Sequence, residues 1–475
     1  MQELKLIREG TYARLRAPIA VIYEVSHRCN LRCSFCYSNS GSRTGMDTSL
    51  PRARQILAAI KKAEVLHVEL MGGELFLLDE WDVVLRLARE MGFCLSLVSN
   101  GTCIDPDVAE VVAEHVDSSG VSFRGPDASL HDKITGVQGS FASALEGLRN
   151  LRRAGTPVGV VYDAVPANHS YLFDTVERII KREGISLDFV SANRIAPSGR
   201  ALRATRGNLM SFEQYSVLFD QLERVAVEFS MSVEIGDAFP LCRLKPRQRE
   251  FTTLCEFGVW RATIGPNGGV RGCPCSHQEF GNVLTSGMET IWMAHCSTRS
   301  FVRMEWLPDQ CHACGLLSEC GGGCPHSLPG STGPSPDVFY QGQRRPPSVR
   351  PAKLGHVDSD MTAVEPFADG SKPRLSARCW FRDDIDGIIC VPLDTALATY
   401  MRLRTCLLVD DLERSVMELC TGEHSVKEMR AILSSRGYGT KTTLKRSIAN
   451  VLHALAQFGY LHMHSGDAPN RQHLR

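Results

Sequence analysis

The first two hundred residues alternate short apolar segments with segments whose apolar residues recur at helical spacing. The six apolar segments predict strands at 19–25, 65–71, 93–98, 120–123, 158–162 and 187–191. The segments between them predict helices at 53–63, 81–91, 107–115, 141–154 and 172–182. Alternation of this kind favours parallel pairing, because parallel strands need a crossover connection that a helix usually supplies. The pattern therefore predicts an α/β fold with a parallel sheet and does not decide whether the sheet closes.

Composition limits which cellular compartment and which classes of partner the protein is expected to have. The chain has 475 residues, which is enough for two or three domains. Its 53 basic and 53 acidic residues give a formal net charge of zero, which argues against a nucleic-acid or anionic-membrane partner. No apolar run approaches the length of a membrane span, and the N-terminus lacks the apolar core of a signal peptide. We therefore expect a cytoplasmic protein.

Cysteine is the residue type that points to chemistry. The 18 cysteines are clustered, as expected for metal sites in a reducing compartment. Cys29, Cys33 and Cys36 follow the first strand at C-x3-C-x2-C spacing, with Tyr37 next. Thiolates are the usual ligands of iron–sulfur clusters, and three of them leave one iron of a four-iron cluster open. Zinc is the alternative, but only His27 offers a nearby fourth ligand.

This motif resembles that of the radical S-adenosylmethionine (radical SAM) enzymes. The resemblance implies that Cys29, Cys33 and Cys36 hold a [4Fe–4S] cluster whose open iron binds SAM. It also implies reductive cleavage of SAM to a 5′-deoxyadenosyl radical, with a protein such as flavodoxin or ferredoxin as the electron donor. The fold implied is a partial (β/α)6 TIM barrel with its site at the C-terminal ends of the strands.

The same resemblance assigns SAM binding to residues at those strand ends. Gly72-Gly73-Glu74 follows the second predicted strand and resembles the family's GGE motif. The family often has Asp where this chain has Arg124, so only the preceding Ser122 is assigned to this role. For Arg194, the alternative interpretation is a surface residue beside a turn. The full set implied is Tyr37, Gly72, Gly73, Glu74, Ser99, Asn100, Ser122 and Arg194.

A second cysteine region resembles the SPASM domain, which carries auxiliary [4Fe–4S] clusters in radical SAM enzymes. Its last four cysteines have C-x2-C-x5-C-x3-C spacing, and a zinc ribbon is the alternative. The resemblance implies two auxiliary clusters. The first would use Cys242, Cys255, Cys273 and Cys324. The second would use Cys311, Cys314, Cys320 and Cys379, with Cys275 or an open iron as alternatives to Cys379.

The C-terminal part has a different character. Residues 331–374 are rich in Pro, Gly and Ser and are predicted to form a linker or insertion. Beyond them the pattern predicts a strand at 387–391, three helices and a short strand at 460–463, which together make a winged helix-turn-helix. Gly422-Glu423 and the sequence Phe-Gly-Tyr-Leu at 458–461 resemble the PqqD-type peptide chaperone. That resemblance implies a recognition element that adds the leader of a precursor peptide to a sheet edge. A structural cap or a DNA-binding module are the alternatives.

These predictions combine into one domain order and one function. We expect a radical SAM core at 1–235, a SPASM domain at 236–330, a linker at 331–374 and a PqqD-like domain at 375–475. The resemblance implies a maturase that takes hydrogen from a ribosomally made peptide. The product would be a thioether or carbon–carbon crosslink, or an epimer. The alternative is a sulfatase-maturase-like enzyme or an enzyme that oxidises a tetrapyrrole or another small molecule.

Overall fold

The chain forms two compact units. The structure, a computed structural model, describes residues 2–3, 7–8, 11–12, 15–41, 46–203, 209–252, 254–256, 258–276, 278–295, 304–329, 334–340, 369–375, 378–384, 387–393, 407–457 and 461–463. The larger unit comprises Leu6–Arg345 and Ala398–Tyr400, and the smaller comprises Met1–Lys5, Pro346–Leu397 and Met401–Arg475. Among the described residues, no helix is both long and apolar enough to cross a membrane.

The larger unit is built on a ten-stranded sheet in the order β10-β9-β8-β7-β6-β5-β4-β11-β12-β13. The first eight strands in this order are mutually parallel. The strands of the sheet are β4 Ala20–Ser26, β5 His67–Gly72, β6 Cys94–Ser99, β7 Ser118–Ser122, β8 Val158–Ala164, β9 Phe189–Arg194, β10 Ser232–Ile235, β11 Arg261–Ile264, β12 Gly269–Arg271 and β13 Glu279–Asn282. Before them, β1 is Gln2–Glu3, and β2 Ile7–Arg8 pairs with β3 Thr11–Tyr12.

The predicted parallel α/β sheet is confirmed. All six predicted strands occur, as β4 to β9, with small shifts at their ends. Strand β10 was not predicted. Strand β11 pairs in parallel with β4, from Arg261 opposite Ala20 to Ile264 opposite Tyr23. The expected boundary at residue 235 is therefore not a boundary of the sheet, because β11 to β13 belong to the same sheet as the preceding strands.

Charged side chains on the sheet reach across neighbouring strands. Arg261 on β11 lies 3.7 Å from Glu69 on β5, although β4 lies between these two strands in the sheet order. Burial raises the pKa of Glu69, and Arg261 opposes that shift.

Helices cover the outside of this sheet and bury one apolar face each. The five predicted helices are present, and the last continues as a π-helical segment, Arg178–Arg182. The helices α4, α7 and α8 were not predicted, although α8 begins with a capping box between Ser211 and Gln214. The first eight helices are α1 Leu50–Lys62, α2 Trp81–Glu90, α3 Pro106–His115, α4 Ala128–Thr135, α5 Ser140–Ala154, α6 Leu172–Glu177, α7 Gly199–Arg203 and α8 Phe212–Phe229.

The cysteine-rich end of the larger unit has short elements. The glycine-rich sequence 265–269 forms the turn of the β11–β12 hairpin, in which the Gly265 amide donates to the Gly269 carbonyl at 2.9 Å. The 3₁₀ helices are Leu75–Leu77, Leu241–Arg243 and Pro246–Phe251, and the α-helices are α9 Val283–Ser286, α10 Met288–His295, α11 Asp309–His312 and α12 Leu317–Cys320.

Part of the expected linker packs as ordered structure in the larger unit. Asp337 is only 3% exposed, and the Phe339 ring lies parallel to the Phe239 ring with centroids 6.2 Å apart. Residues 334–340 therefore belong to the packed unit. Residues 331–333 and 341–368 of the expected linker lie outside the described part of the chain.

The smaller unit combines a β-sheet with three helices around its own apolar core. Its four antiparallel strands lie in the order β1-β17-β16-β15, and β14 pairs with β18. The predicted strand at 387–391 and the three helices are present, whereas positions 458–460 of the expected PqqD-like motif lie outside the described residues. The elements are β14 Pro373–Leu375, β15 Arg378–Asp384, β16 Gly387–Leu393, β17 Leu407–Val409, α13 Asp411–Leu419, α14 Val426–Ser435, α15 Lys441–Gln457 and β18 Leu461–Met463.

Candidate active site

The three cysteines of the first motif lie on the loop that leaves the C-terminal end of β4, and all three side chains are half-buried. The Leu31 amide donates to the Cys29 sulfur at 3.4 Å, and the Asn100 side-chain amide lies 3.9 Å from the same sulfur. Hydrogen bonds to sulfur from nearby N–H groups are a common feature of iron–sulfur ligands. The donor atoms and their surroundings therefore fit a cluster held by this loop.

Two thiols of this loop are hard to ionise. Burial raises the pKa of Cys29 to about 12 and that of Cys33 to about 11. Iron binding would have to displace these protons, since the thiolate is the form that ligates. Within the described residues, no three Cys, His, Asp or Glu side chains have converged as a preformed metal site. The cysteine loop thus supplies suitable ligands without a finished coordination sphere.

Arg200, which was not predicted as a site residue, braces the cysteine loop from the start of α7. Its Nε donates to the Cys33 carbonyl at 2.7 Å, and its backbone amide donates to the Cys36 carbonyl at 2.9 Å. A second guanidinium nitrogen donates to the Ser40 carbonyl. The preceding Gly199 has φ +54°, and a Cβ there would lie 2.1 Å from the Tyr37 carbonyl oxygen. Only glycine permits this close approach of α7 to the loop.

We expect Arg200→Gln to weaken cluster retention at this loop about 10- to 100-fold, the usual cost of losing a residue that orients metal ligands. The measurement is the rate at which a chelator removes the SAM-sensitive electron paramagnetic resonance (EPR) signal. Arg86→Gln is the matched control, because Arg86 is half exposed and pairs with nearby Asp82 on α2. Arg200→Lys should restore part of the retention. Equal retention in Arg200→Gln and Arg86→Gln would contradict a positioning role.

The Gly72-Gly73-Glu74 segment brings the ends of β4 and β5 together. The Gly73 amide donates to the Ser26 carbonyl at 2.7 Å, and the Glu74 amide donates to the Arg28 carbonyl at 2.7 Å. A Cβ on Gly73 would lie 1.9 Å from the Arg28 carbonyl oxygen, and Gly72 has φ +144°. The two glycines are therefore required by backbone packing against the cysteine loop.

Three of the predicted strand-end residues meet at one point. The buried Glu74 carboxylate accepts hydrogen bonds from the Ser99 hydroxyl and from the Asn100 amide, both at 2.8 Å. Burial raises the pKa of Glu74, while the Asn100 amide and the Ser99 hydroxyl oppose that shift by stabilising the carboxylate. Glu74 thus fixes the loop after β6, and the Asn100 side chain is held near the Cys29 sulfur.

The Tyr37 side chain is held by a buried carboxylate next to the cysteine loop. Its hydroxyl donates to Glu24 Oε1 at 2.8 Å, and burial followed by the neighbouring Glu24 carboxylate raises the pKa of Tyr37 well above its ordinary value. Glu24 is fully buried and also forms an ion pair with Arg271. Arg271 in turn donates to the Pro274 carbonyl at 2.8 Å. The first cysteine loop is therefore connected to the second cysteine region through the buried Glu24 and the half-buried Arg271.

The side chain of Arg124 points to the same area, although the prediction set this position aside. It forms an ion pair with Asp163 at 2.5 Å, and its Cζ lies 5.2 Å from the centre of the Phe35 ring. Phe35 lies within the cysteine motif, and Ser122 ends the strand β7 that leads to Arg124. No contact of Ser122 distinguishes it as a ligand-binding group, so its assignment stays a prediction.

The Arg194 side chain contacts protein groups that the sequence did not predict. Its guanidinium forms two hydrogen bonds with Asp337, at 2.7 and 3.2 Å, and both side chains are buried. Its Cζ lies 4.9 Å from the centre of the Phe239 ring and 4.5 Å from that of Phe339. This geometry gives the guanidinium a protein partner and does not support the expected contact with SAM.

The assignment of cysteines to the two auxiliary clusters stays a prediction. Cys242 lies in the 3₁₀ helix Leu241–Arg243, and the Leu241 amide donates to the Cys320 sulfur at 3.3 Å. Cys379, expected to complete the second auxiliary cluster, lies on β15 of the smaller unit. There it packs against that unit's core, and a hydrogen bond from Cys390 lowers the pKa of its thiol.

Comparisons with known proteins agree with this site. Residues 23–179 match the family model described as the radical SAM superfamily. The mycofactocin maturase MftC of Mycolicibacterium smegmatis is 31% identical over 320 residues, covering 65% of this chain and 79% of MftC. The subtilosin biosynthesis protein AlbA of Bacillus subtilis is 24% identical over 279 residues, covering 58% of this chain and 59% of AlbA.

Solved structures show the same fold at low sequence identity. Streptococcus suis SuiB bound to S-adenosylmethionine superposes with a TM-score of 0.54 at 16% identity, covering 68% of this chain and 77% of SuiB. The enzyme anSMEcpe bound to AdoMet and a peptide superposes with a TM-score of 0.51 at 17% identity, covering 67% and 92%. The cysteine loop lies at the strand ends, and the match to MftC covers most of that protein. The chain therefore belongs to the radical SAM superfamily and is a radical SAM enzyme.

Proposed function

We propose that this radical SAM enzyme is a peptide maturase that oxidises a ribosomally made precursor peptide. The observation that carries the proposal is the cysteine loop, which presents three thiols at the strand ends and is braced by Arg200. The relatives supply the substrate class. MftC is a mycofactocin maturase, AlbA acts in the biosynthesis of a bacteriocin, and SuiB has been crystallised with its precursor peptide SuiA.

We assign the radical chemistry to the strand ends of the larger unit. Cys29, Cys33 and Cys36 would hold the [4Fe–4S] cluster, which supplies the electron that cleaves a carbon–sulfur bond of bound SAM. This chain's own residues orient the ligands. Arg200 fixes the loop carbonyls, Glu74 fixes the loop after β6, and Asn100 is held beside the Cys29 sulfur. Residues Tyr37, Gly72, Gly73, Ser99 and Ser122 complete the set proposed to surround SAM.

The smaller unit is proposed to bind the leader of the precursor peptide. Its sheet ends at β15 on one side, and an edge strand offers unpaired backbone groups to an extended peptide. Three helices and the β14–β18 pair are consistent with a winged-helix module of the PqqD type. An iron–sulfur or flavin protein such as ferredoxin or flavodoxin is the proposed reductant.

The modification is proposed to be a net oxidation, as a thioether or carbon–carbon crosslink, with epimerisation as the redox-neutral alternative. A second candidate is oxidation of a tetrapyrrole or another small molecule. That alternative is favoured by 24% identity over 319 residues to the AdoMet-dependent heme synthase of Oleidesulfovibrio alaskensis. A small-molecule enzyme needs no leader, so leader dependence separates the two candidates.

The test is anaerobic incubation of the reconstituted enzyme with SAM, a reductant and the short peptide encoded beside its gene. We expect the intact mass of the peptide to fall by two hydrogens for each crosslink, and only when the leader is attached. An unchanged mass with deuterium uptake from heavy water would indicate epimerisation. Release of 5′-deoxyadenosine that is insensitive to the peptide, with neither change in the peptide, would refute peptide maturation.

A further inference from the structure

Asp163 and Asn193 lie side by side near the C-terminal ends of neighbouring strands. They are paired in the parallel register of β8 and β9. Each alternates with residues of the helix-covered core, which are Tyr162 and Ala164 on β8 and Ala192 on β9. Because successive side chains of a strand point to opposite faces, Asp163 and Asn193 project from the other face of the sheet. Both are half-buried, so a part of each side chain is open to a ligand.

This pair lies next to the cysteine loop. The two strands continue into Val165 and Ile195, and both of these side chains pack in one apolar cluster with Phe35 of the cysteine motif. The Arg124 Cζ lies 5.2 Å from the centre of the same phenyl ring. A molecule held by the pair would therefore be near the loop that is proposed to hold the radical-generating cluster.

Arg124 and Asp163 fix how the Asn193 side chain is turned. One guanidinium nitrogen of the buried Arg124 donates to the Phe123 and Val161 carbonyls, both at 2.9 Å. The other forms the ion pair with Asp163 at 2.5 Å, and the second Asp163 oxygen accepts from Asn193 Nδ2 at 2.9 Å. An ionised carboxylate can only accept, so the carboxamide nitrogen must face it and the carboxamide oxygen must point away.

The Asn193 carboxamide keeps hydrogen-bonding capacity for a ligand. Its Oδ1 has no hydrogen-bond donor among the residues that the structure describes, and its Nδ2 has a second hydrogen. Gly236, directly after β10, donates its amide to the Ala192 carbonyl at 2.9 Å. A Cβ on Gly236 would lie 2.8 Å from Asn193 Oδ1, so glycine leaves the carboxamide uncrowded on that side.

We propose that Asn193 binds the backbone N–H and C=O of one extended residue of the precursor peptide, the residue that is modified. The peptide N–H would donate to Oδ1, and the peptide carbonyl would accept from Nδ2, since both groups of an extended residue point to one side. Arg124 and Asp163 are positioning residues that keep the carboxamide in this orientation. Holding the backbone of the residue also holds its reacting carbon in place. This inference rests on the proposed function in taking a peptide as the substrate.

The test compares Asn193→Ala with Ser191→Ala in the full-length, reconstituted enzyme. Ser191 lies on the same strand and face, two residues earlier. It is fully buried, and its hydroxyl has no hydrogen-bond partner among the described residues, so its loss should not affect a ligand. The probe is the short peptide encoded beside the gene, with its leader attached. The measurements are kcat/KM for the peptide, KM for SAM, and the ratio of 5′-deoxyadenosine released to peptide modified.

We expect Asn193→Ala to lower kcat/KM for the peptide about 10-fold, the usual effect of losing one or two hydrogen bonds to a substrate. The ratio of 5′-deoxyadenosine to modified peptide should rise by a similar factor, because SAM is still cleaved while the reacting carbon is misplaced. The KM for SAM, the iron content and the SAM-sensitive EPR signal should equal those of Ser191→Ala.

Two further variants separate binding from a structural role. Gly236→Ala moves the carboxamide without removing it, because the new Cβ displaces the end of a side chain that can rotate. It should raise the same ratio. Asp163→Asn should also lower kcat/KM for the peptide, and adding it to Asn193→Ala should cause no further loss, because Asp163 acts through Asn193. A merely structural role of Asp163 would give additive losses.

Peptide turnover by Asn193→Ala equal to that of Ser191→Ala would overturn the proposal. A higher KM for SAM in Asn193→Ala, with an unchanged ratio, would also overturn it, because Asn193 would then contact SAM. If the unaltered enzyme leaves the peptide unchanged, the proposed function fails and this inference fails with it. If the unaltered enzyme modifies the peptide, the variants test the inference alone.

Discussion

Replacing Cys36 by alanine is expected to lower the release of 5′-deoxyadenosine from SAM by at least about 10³-fold, to the background rate. The loop would keep only two thiol ligands, and a four-iron cluster needs three to be held with one iron open. Chromatography of the anaerobic reaction measures the nucleoside. The reconstituted variant should also hold about four fewer irons per chain than the unaltered enzyme.

Cys94→Ala is the control for this variant. Cys94 is half-buried at the start of β6 and belongs to none of the proposed cluster sites. Its replacement removes a thiol of similar burial and should leave both iron content and nucleoside release near the unaltered values. If Cys36→Ala released 5′-deoxyadenosine as fast as Cys94→Ala does, the cysteine loop could not be the radical-generating site.

Asp337→Asn is expected to lower the free energy of unfolding of the larger unit by about 3–5 kcal/mol, the range for breaking a buried ion pair. The variant removes the carboxylate that pairs with the Arg194 guanidinium, which is buried between two phenyl rings. Asp337 also accepts from the Cys324 and Phe339 amides, both at 2.8 Å, and the neutral amide is a weaker acceptor for them. The measurement is the midpoint of urea unfolding of the metal-free protein, followed by tryptophan fluorescence.

Two comparisons isolate the buried charge as the cause. Asp82→Asn removes a partly exposed partner of Arg86 on α2 and should cost less than about 1 kcal/mol. A double variant, Arg194→Met with Asp337→Asn, removes the buried guanidinium and keeps an oxygen acceptor for the two amides, so it should be more stable than Asp337→Asn alone. An Asp337→Asn variant as stable as Asp82→Asn would show that the pair does not hold residues 334–340 in place.

The cysteine loop and the alternation that positions it could be predicted from the sequence. Strand and helix periodicities depend on residues two to four positions apart, so a linear pattern contains them. Glu74, Ser99 and Asn100 come together because the ends of adjacent parallel strands meet at one edge of the sheet. The GGE sequence lies at the end of β5, and the structure adds that its glycines allow the loop of β4 to pack closely.

Contacts between distant parts of the chain could not be predicted in this way. Arg194 was expected at the cofactor, yet its partner Asp337 lies 143 residues later in a segment predicted to be a linker. Arg200 belongs to none of the motifs identified in the sequence, and the Cys33 carbonyl that it contacts lies 167 residues earlier in the chain. Neither pairing leaves a periodic signal, because it depends on how whole elements pack.

By itself, the sequence determined the parallel α/β alternation, the three-cysteine loop and the family. The tertiary structure decided that β11 joins β4, that Arg200 braces the loop and that Cys242 lies beside Cys320. The physical reason is that backbone propensity and side-chain spacing act over a few residues, whereas the neighbours of a buried charge or thiol are fixed only when the strands assemble and the loops pack together.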